Sequence, residues 1–203
     1  MKTLTLLLVA GTLLAQPAPP LTFDMKDPKG VSGLSLKIDS LLEPVRGHAN
    51  GVSGSIVFDP AKPEKSTGKI VIDASSVTLG SADMTGAMHG DWCLEVAKYP
   101  TMTFVVTKID RVKKTGEGQW NARVSGDFTI KDVTRSLTAN ASVSYLPNMI
   151  KKRGGLRRDG DLLKIVSKFS IKRSDYKVSP DLSTDLIGDT IEIDLATIGV
   201  APK

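Results

Sequence analysis

From about residue 30 onward the chain alternates apolar and polar residues with a period of two. Gly54, Ile56 and Phe58 interleave with Ser55, Val57 and Asp59, and Gly68, Ile70 and Ile72 with Lys69, Val71 and Asp73. The same holds for Met102–Val106, Val124–Ile130, Leu137–Val143, Ile165–Ile171 and Ile191–Leu195. Successive strand side chains point to opposite faces, so each segment predicts a strand with one apolar face. A further strand through Val31–Ile38 brings the number to about eight, at which a closed sheet encloses packed side chains or one small ligand. Closure also removes the unpaired edges that a flat sheet would expose. Turn residues fall between the segments. Asp59-Pro60-Ala61-Lys62-Pro63 is a loop, because two prolines cannot sit in a central strand. Gly116-Glu117-Gly118 and Lys131-Asp132 read as hairpin connections.

One stretch departs from this period. Between Asp83 and Glu95, Met84, Ala87, Met88 and Trp92 fall at helical spacing. Gly86 and Gly90 weaken a helix by about 1 kcal/mol each relative to Ala. The expectation is a short helix or irregular helical loop between two strands.

The first residues follow another rule. Met1 and Lys2 precede an apolar run, Leu4–Leu14, and then Ala15-Gln16-Pro17. This is the layout of a secretory signal peptide covering 1–15. The run is short of the roughly 20 apolar residues that span a bilayer. Leu13 is large for the position three before the cleavage point. Residues 16–203 then form one all-β domain. Cys93 is the only cysteine, so no intramolecular disulfide exists. Export without disulfides fits a bacterial periplasm, or secretion from such a cell.

The net charge of +5 permits contact with anionic surfaces. Aromatic residues are 5% of the chain and do not interleave with the basic ones, which argues against nucleic acid. The basic residues cluster once, at Lys151, Lys152, Arg153, Arg157 and Arg158. That loop reads either as a contact for a lipid head group or membrane surface, or as a solvated hairpin tip. No nucleophile elbow, P-loop or dinucleotide motif stands between a strand and a helix. His48 reads as part of a Gly-rich turn. His89 and Cys93 lie four apart, two metal ligands without an evident third. Neither an enzyme, a cofactor nor a metal site is expected.

The inward faces define a candidate interior: Ile56, Phe58, Ile70, Ile72, Met88, Phe104, Phe128, Ile130, Ala139, Ala141, Phe169 and Ile193. Ala139 and Ala141 are small for a barrel interior, and Gly54, Gly68 and Gly126 are expected to leave further room. Burial of a hydrocarbon there is worth about 0.8 kcal/mol per methylene. A few isoprene units then reach micromolar affinity after ordering costs. The periodicity also allows a barrel packed shut by its Phe and Met residues.

Several segments, in order, carry a resemblance. They are Val45-Arg46-Gly47, Gly54–Pro60, Ile70–Ser76, Lys98–Phe104, Gly126–Arg135, Phe169–Tyr176 and Gly188–Ile193. Together they resemble the YceI-like family, the lipocalin-like polyisoprenoid-binding domain, as a divergent member. Asp27-Pro28-Lys29-Gly30 lacks a His common at the family's start, and Thr85–His89 departs from its helix motif. The resemblance implies an eight-stranded antiparallel barrel with an apolar tunnel. It also implies a carrier of an elongated lipid (isoprenoid, quinone or acyl chain). Met84 and Met88, whose side chains adapt to variable contents, read either as a cover over one mouth or as ordinary core. The alternative is a packed barrel acting as a stress-linked interaction module. In the segment Arg173-Ser174-Asp175 a structural role is expected.

Overall fold

The computed structural model describes residues 19–154 and 158–203. The expected signal peptide, residues 16–18 and 155–157 of the predicted domain, and with them Arg157 of the basic cluster, lie outside the described residues. The strands are β1 (Leu21–Asp24), β2 (Gly33–Ser40), β3 (Val45–Ala49), β4 (Val52–Phe58), β5 (Thr67–Asp73) and β6 (Val77–Leu79). Helix α1 (Ala82–His89) follows, then β7 (Thr101–Gly116), β8 (Gln119–Ile130), β9 (Val133–Leu146), the single-turn α2 (Ile150–Arg153), β10 (Gly160–Lys172) and β11 (Ile187–Pro202).

These segments occupy eight positions around a closed antiparallel barrel. β1 and β2 both lie on one edge of β11, β1 near Val200 and β2 from Ile187 to Ala196. β4 pairs with β1 and β3 with β2. β5 pairs with β4 and β6 with β3. β1 with β2, β4 with β3, and β5 with β6 therefore each share one position around the barrel. From β5 the sheet continues through β7, β8, β9 and β10 back to β11. Among the described residues β6 has no strand beyond it, and α1 packs against it.

The predicted turns are present. Gly118 (φ +63°) and Lys131 (φ +56°) adopt the left-handed conformation that tight hairpins need. The predicted helix is shorter than its spacing implied. Ser81 caps α1, its Oγ accepting from Met84 N at 3.1 Å, and the helix stops at Gly90. Trp92 and Cys93 fall in the turns beyond, so His89 and Cys93 do not share a helix face. His89 Nε2 instead meets Val77 O at 2.8 Å. His48 lies not in a turn but in β3, opposite Ser35, with Thr78 Oγ1 3.2 Å from its Nε2.

The glycines do not enlarge the interior as expected. A Cβ on Gly126 would stand 2.5 Å from the Phe104 ring, and one on Gly68 2.8 Å from Ile56 Cγ1. Both glycines are covered by neighbouring inward side chains that lie flat against the wall. Gly54 serves the backbone: its φ is +119°, and a Cβ there would meet Lys69 O at 2.1 Å.

The segment between β1 and β2 is tied down by a buried carboxylate. Asp27 accepts from the backbone of Lys29, Val31 and Ser32, and Arg153 grips it through two nitrogens at 2.7 and 2.8 Å. The basic loop is thereby corrected. Arg153 is not a free surface cation, and Lys151 pairs with Asp159 at 2.8 Å. Lys152 and Arg158 are exposed, with no partner among the described residues.

Burial pushes the Asp27 carboxyl up, but the hydrogen bonds from Arg153 and the backbone outweigh it, and its pKa falls from 3.8 to about 2. A depressed folded-state pKa stabilises the fold above the unfolded value and is lost as pH falls through the folded one. Between about pH 4 and about pH 2, Asp27 should therefore withdraw about 2 kcal/mol of stability. Urea melts across that range, compared with Asp27→Asn, check this: the variant should be less stable near neutrality and show a flatter acid limb.

Candidate functional site: an apolar tunnel

Two apolar cavities lie end to end inside the barrel. The upper, of about 140 Å³, is ringed by β2, β4, β5, β7, β8, β9, β10 and β11. The lower, of about 300 Å³, lies between the barrel and α1. Both are lined by Leu34, Ile72 and Phe128, so a partition one side chain thick separates them.

Every interior candidate from strand parity lines one or both cavities. Ile56, Phe58, Ile70, Phe104, Ala139, Ala141 and Phe169 face the upper one. Met88, Ile130 and Ile193 face the lower, and Ile72 and Phe128 face both. Other wall residues escaped the reading. Ile109 points inward because a bulge between Val106 and Lys108 shifts the alternation of β7. Trp120 and Leu163 lie at the barrel's far end, beyond the periodic segments.

The upper cavity has a specific cause. Ala122, Ala141 and Ser167 are cross-strand neighbours on β8, β9 and β10. This row of short side chains leaves the middle of the barrel unfilled. Space of this size holds several water volumes, but apolar walls offer water few hydrogen bonds, so such a cavity favours hydrocarbon.

Beyond the row, aromatic rings close the barrel. Phe58 packs edge-on against Trp120 at 5.5 Å and tilts against Tyr145 at 6.0 Å, and Tyr145 meets Phe23 at 6.2 Å. Tyr145 donates to Asp161 at 2.7 Å. Burial and that carboxylate push the Tyr145 pKa up to about 12, so the hydroxyl keeps its proton.

The other end is open. Met84, Ala87, Met88 and Trp92 line the lower cavity together with Glu43, Leu182 and Ile187. Trp92 is 54% exposed. Leu41 and Leu186, which shortly precede the lining residues Glu43 and Ile187 in sequence, are exposed too and joined by a backbone hydrogen bond of 3.0 Å. Arg173 stands in the wall here, 3% exposed. Its guanidinium donates to the carbonyls of Gly188, Ser179, Leu182 and Ile187 at 2.5–3.2 Å. Its role is structural, as expected: it folds residues 179–188 around the mouth. Cys93 is buried in the same wall, and burial raises its thiol pKa. Among the described residues no group of His, Cys, Asp and Glu is assembled to hold a metal.

A closed antiparallel barrel of eight positions around two adjoining apolar cavities, rather than the single open tunnel expected, defines a lipocalin-like binding domain. The chain belongs to the YceI-like family, whose domain profile matches residues 27–198. A UPF0312 protein of Yersinia pestis (strain Pestoides F) is 29% identical over 157 residues, 77% of this chain and 74% of the relative. Among solved structures, BcnA of Burkholderia cenocepacia superposes with a TM-score of 0.64 at 24% identity, over 85% of this chain and 98% of its own. A polyisoprenoid binding domain from Saccharophagus degradans, implicated in plant cell wall breakdown, superposes with a TM-score of 0.64 at 18% identity, over 90% and 99%. At those identities the structures show a shared fold.

Proposed function

We propose that this protein is a carrier that shields the hydrocarbon tail of an elongated lipid, an isoprenoid, quinone or acyl chain, inside its barrel. The observation that carries this reading is the pair of adjoining apolar cavities, closed by aromatic rings at one end and open beside α1 at the other. The polyisoprenoid binding named for the Saccharophagus relative supports the same ligand class. The chemistry is sequestration: the lining of both cavities among the described residues is dominated by aliphatic and aromatic side chains. The amino-terminal pattern supports action in the periplasm or after secretion. Among the described residues of the basic loop, Lys152 and Arg158 are exposed without an ion-pair partner, which supports contact with a membrane surface.

Native mass spectrometry of the purified chain tests the reading. The expected spectrum shows a co-purifying apolar species of several hundred daltons that is released on collisional activation. Repeated preparations with only the bare chain mass, and no uptake of added long-chain lipid, would leave the alternative of a ligand-free interaction module.

A further inference from the structure

The barrel wall is split on one side. β9 and β10 pair from Leu146–Leu162 only as far as Asn140–Lys168. Both strands continue past that point. β9 stays paired with β8 as far as Val133, and β10 with β11 as far as Lys172. Between them the ladder is missing. Ser167 Oγ, donating to Asn140 O at 2.9 Å, marks the upper end of the split. The turn Ser174–Tyr176 marks the lower end, where Tyr176 packs on Phe128 at 5.7 Å between ring centroids.

A hollow of about 480 Å³ occupies this split. Its lining comes from both faces of the sheet. Leu137 and Ile171 are inward residues, and they also line the upper and the lower cavity respectively. Ser136, Ser170 and Lys172 are outward residues of the same strands. The hollow therefore adjoins both cavities, separated from each by one side chain.

Its polar groups are distinctive. Arg135 lies opposite Phe128 in the β8–β9 ladder, so it occupies an inward position in an otherwise apolar wall, yet it is exposed at the split. Neither Arg135 nor Lys172 makes an ion pair among the described residues, and the Tyr176 hydroxyl has no hydrogen-bond partner among them. Asp175 also borders the hollow and offsets part of the positive charge. Two unpaired cations and a free hydroxyl, next to an apolar interior, match a molecule with an anionic head and a long apolar tail.

We propose that the β9–β10 split is a side portal of the tunnel, at which Arg135 and Lys172 hold the phosphate-type head of a lipid whose tail lies inside. The proposal rests on the lipid-carrier reading and adds where the head sits and what charge it bears. Leu137 and Ile171 form the threshold between head and tail.

The test compares three probes by isothermal titration: geranylgeranyl pyrophosphate, geranylgeraniol with the same tail, and inorganic pyrophosphate. The native chain should bind the charged lipid about tenfold or more tighter than the alcohol, and inorganic pyrophosphate far more weakly than either. Arg135→Gln/Lys172→Gln should bring the charged lipid down to the affinity of the alcohol and leave the alcohol unchanged. Lys113→Gln/Lys114→Gln, at exposed positions of β7 away from both cavities and the split, should preserve the preference. Both positions of the first pair are exposed, so circular dichroism should show an unchanged fold. Equal binding of the two lipids by the native chain, or a preference that survives the first double variant, overturns the portal but keeps the carrier. Inorganic pyrophosphate binding as tightly as the charged lipid also overturns it, since the anion site would then be independent of the tunnel. If neither lipid binds the native chain, the carrier reading falls and the portal with it.

Discussion

Ala141→Phe is expected to abolish binding of a long tail while leaving the empty barrel at least as stable as the native one. Ala141 sits in the middle of the short row formed with Ala122 and Ser167, facing the upper cavity. A ring there occupies the space through which a tail would run. Filling a cavity commonly stabilises a protein by about 0.5–2 kcal/mol, and the overpacking penalty is small where the side chain enters empty space. Affinity moves the other way. Excluding even a few methylenes at about 0.8 kcal/mol each lowers affinity by a factor of a hundred or more. Titration with cis-parinaric acid reads the binding, and a thermal melt reads the fold. Undiminished binding together with a stable fold would show that ligands do not use the upper cavity. The outward Ser142→Phe is the matched control and should bind as the native chain does.

The second large effect concerns stability. Arg173→Met should destabilise the protein by roughly 3–5 kcal/mol, because it strands four carbonyls that share one buried guanidinium. For a chain of this length that lowers the melting temperature by about 10 °C. Met keeps the apolar stem of Arg and lacks only the guanidinium end, so most of the expected loss comes from the stranded carbonyls. Arg173→Lys should recover little, since one ammonium cannot reproduce a planar fork that reaches residues from 179 to 188. Differential scanning calorimetry decides it. A melting temperature within about 2 °C of native would mean that the mouth loop holds its shape without this cation.

The two variants probe features of very different visibility. The inward row around Ala141 was legible from alternation, because a strand's period of two puts alternate residues on one face regardless of the fold. The same rule put the strand candidates on the cavity side, and the hairpin turns were legible from Gly and Asp chemistry. It failed where the period is locally broken. The bulge in β7 turned Ile109 inward, and the short segments β1, β3 and β6 are too brief to show a period. Gly126 and Gly68 read as empty space, but whether a neighbour covers a glycine depends on the cross-strand partner. Phe104 and Ile56 supply that cover.

Charge was least legible of all. Arg153 reads as one cation of a surface cluster, yet its partner Asp27 is 126 residues away. Arg135 looks like an ordinary strand-end cation until the pairing of β9 and β10 is seen to stop short. Local sequence carries the alternation, the turns and the helix cap, because these depend on neighbours within a few residues. Closure of the barrel, the division of its interior into two cavities, the split in its wall and the pairing of its buried charges depend on contacts between distant segments. Only folding brings those segments together.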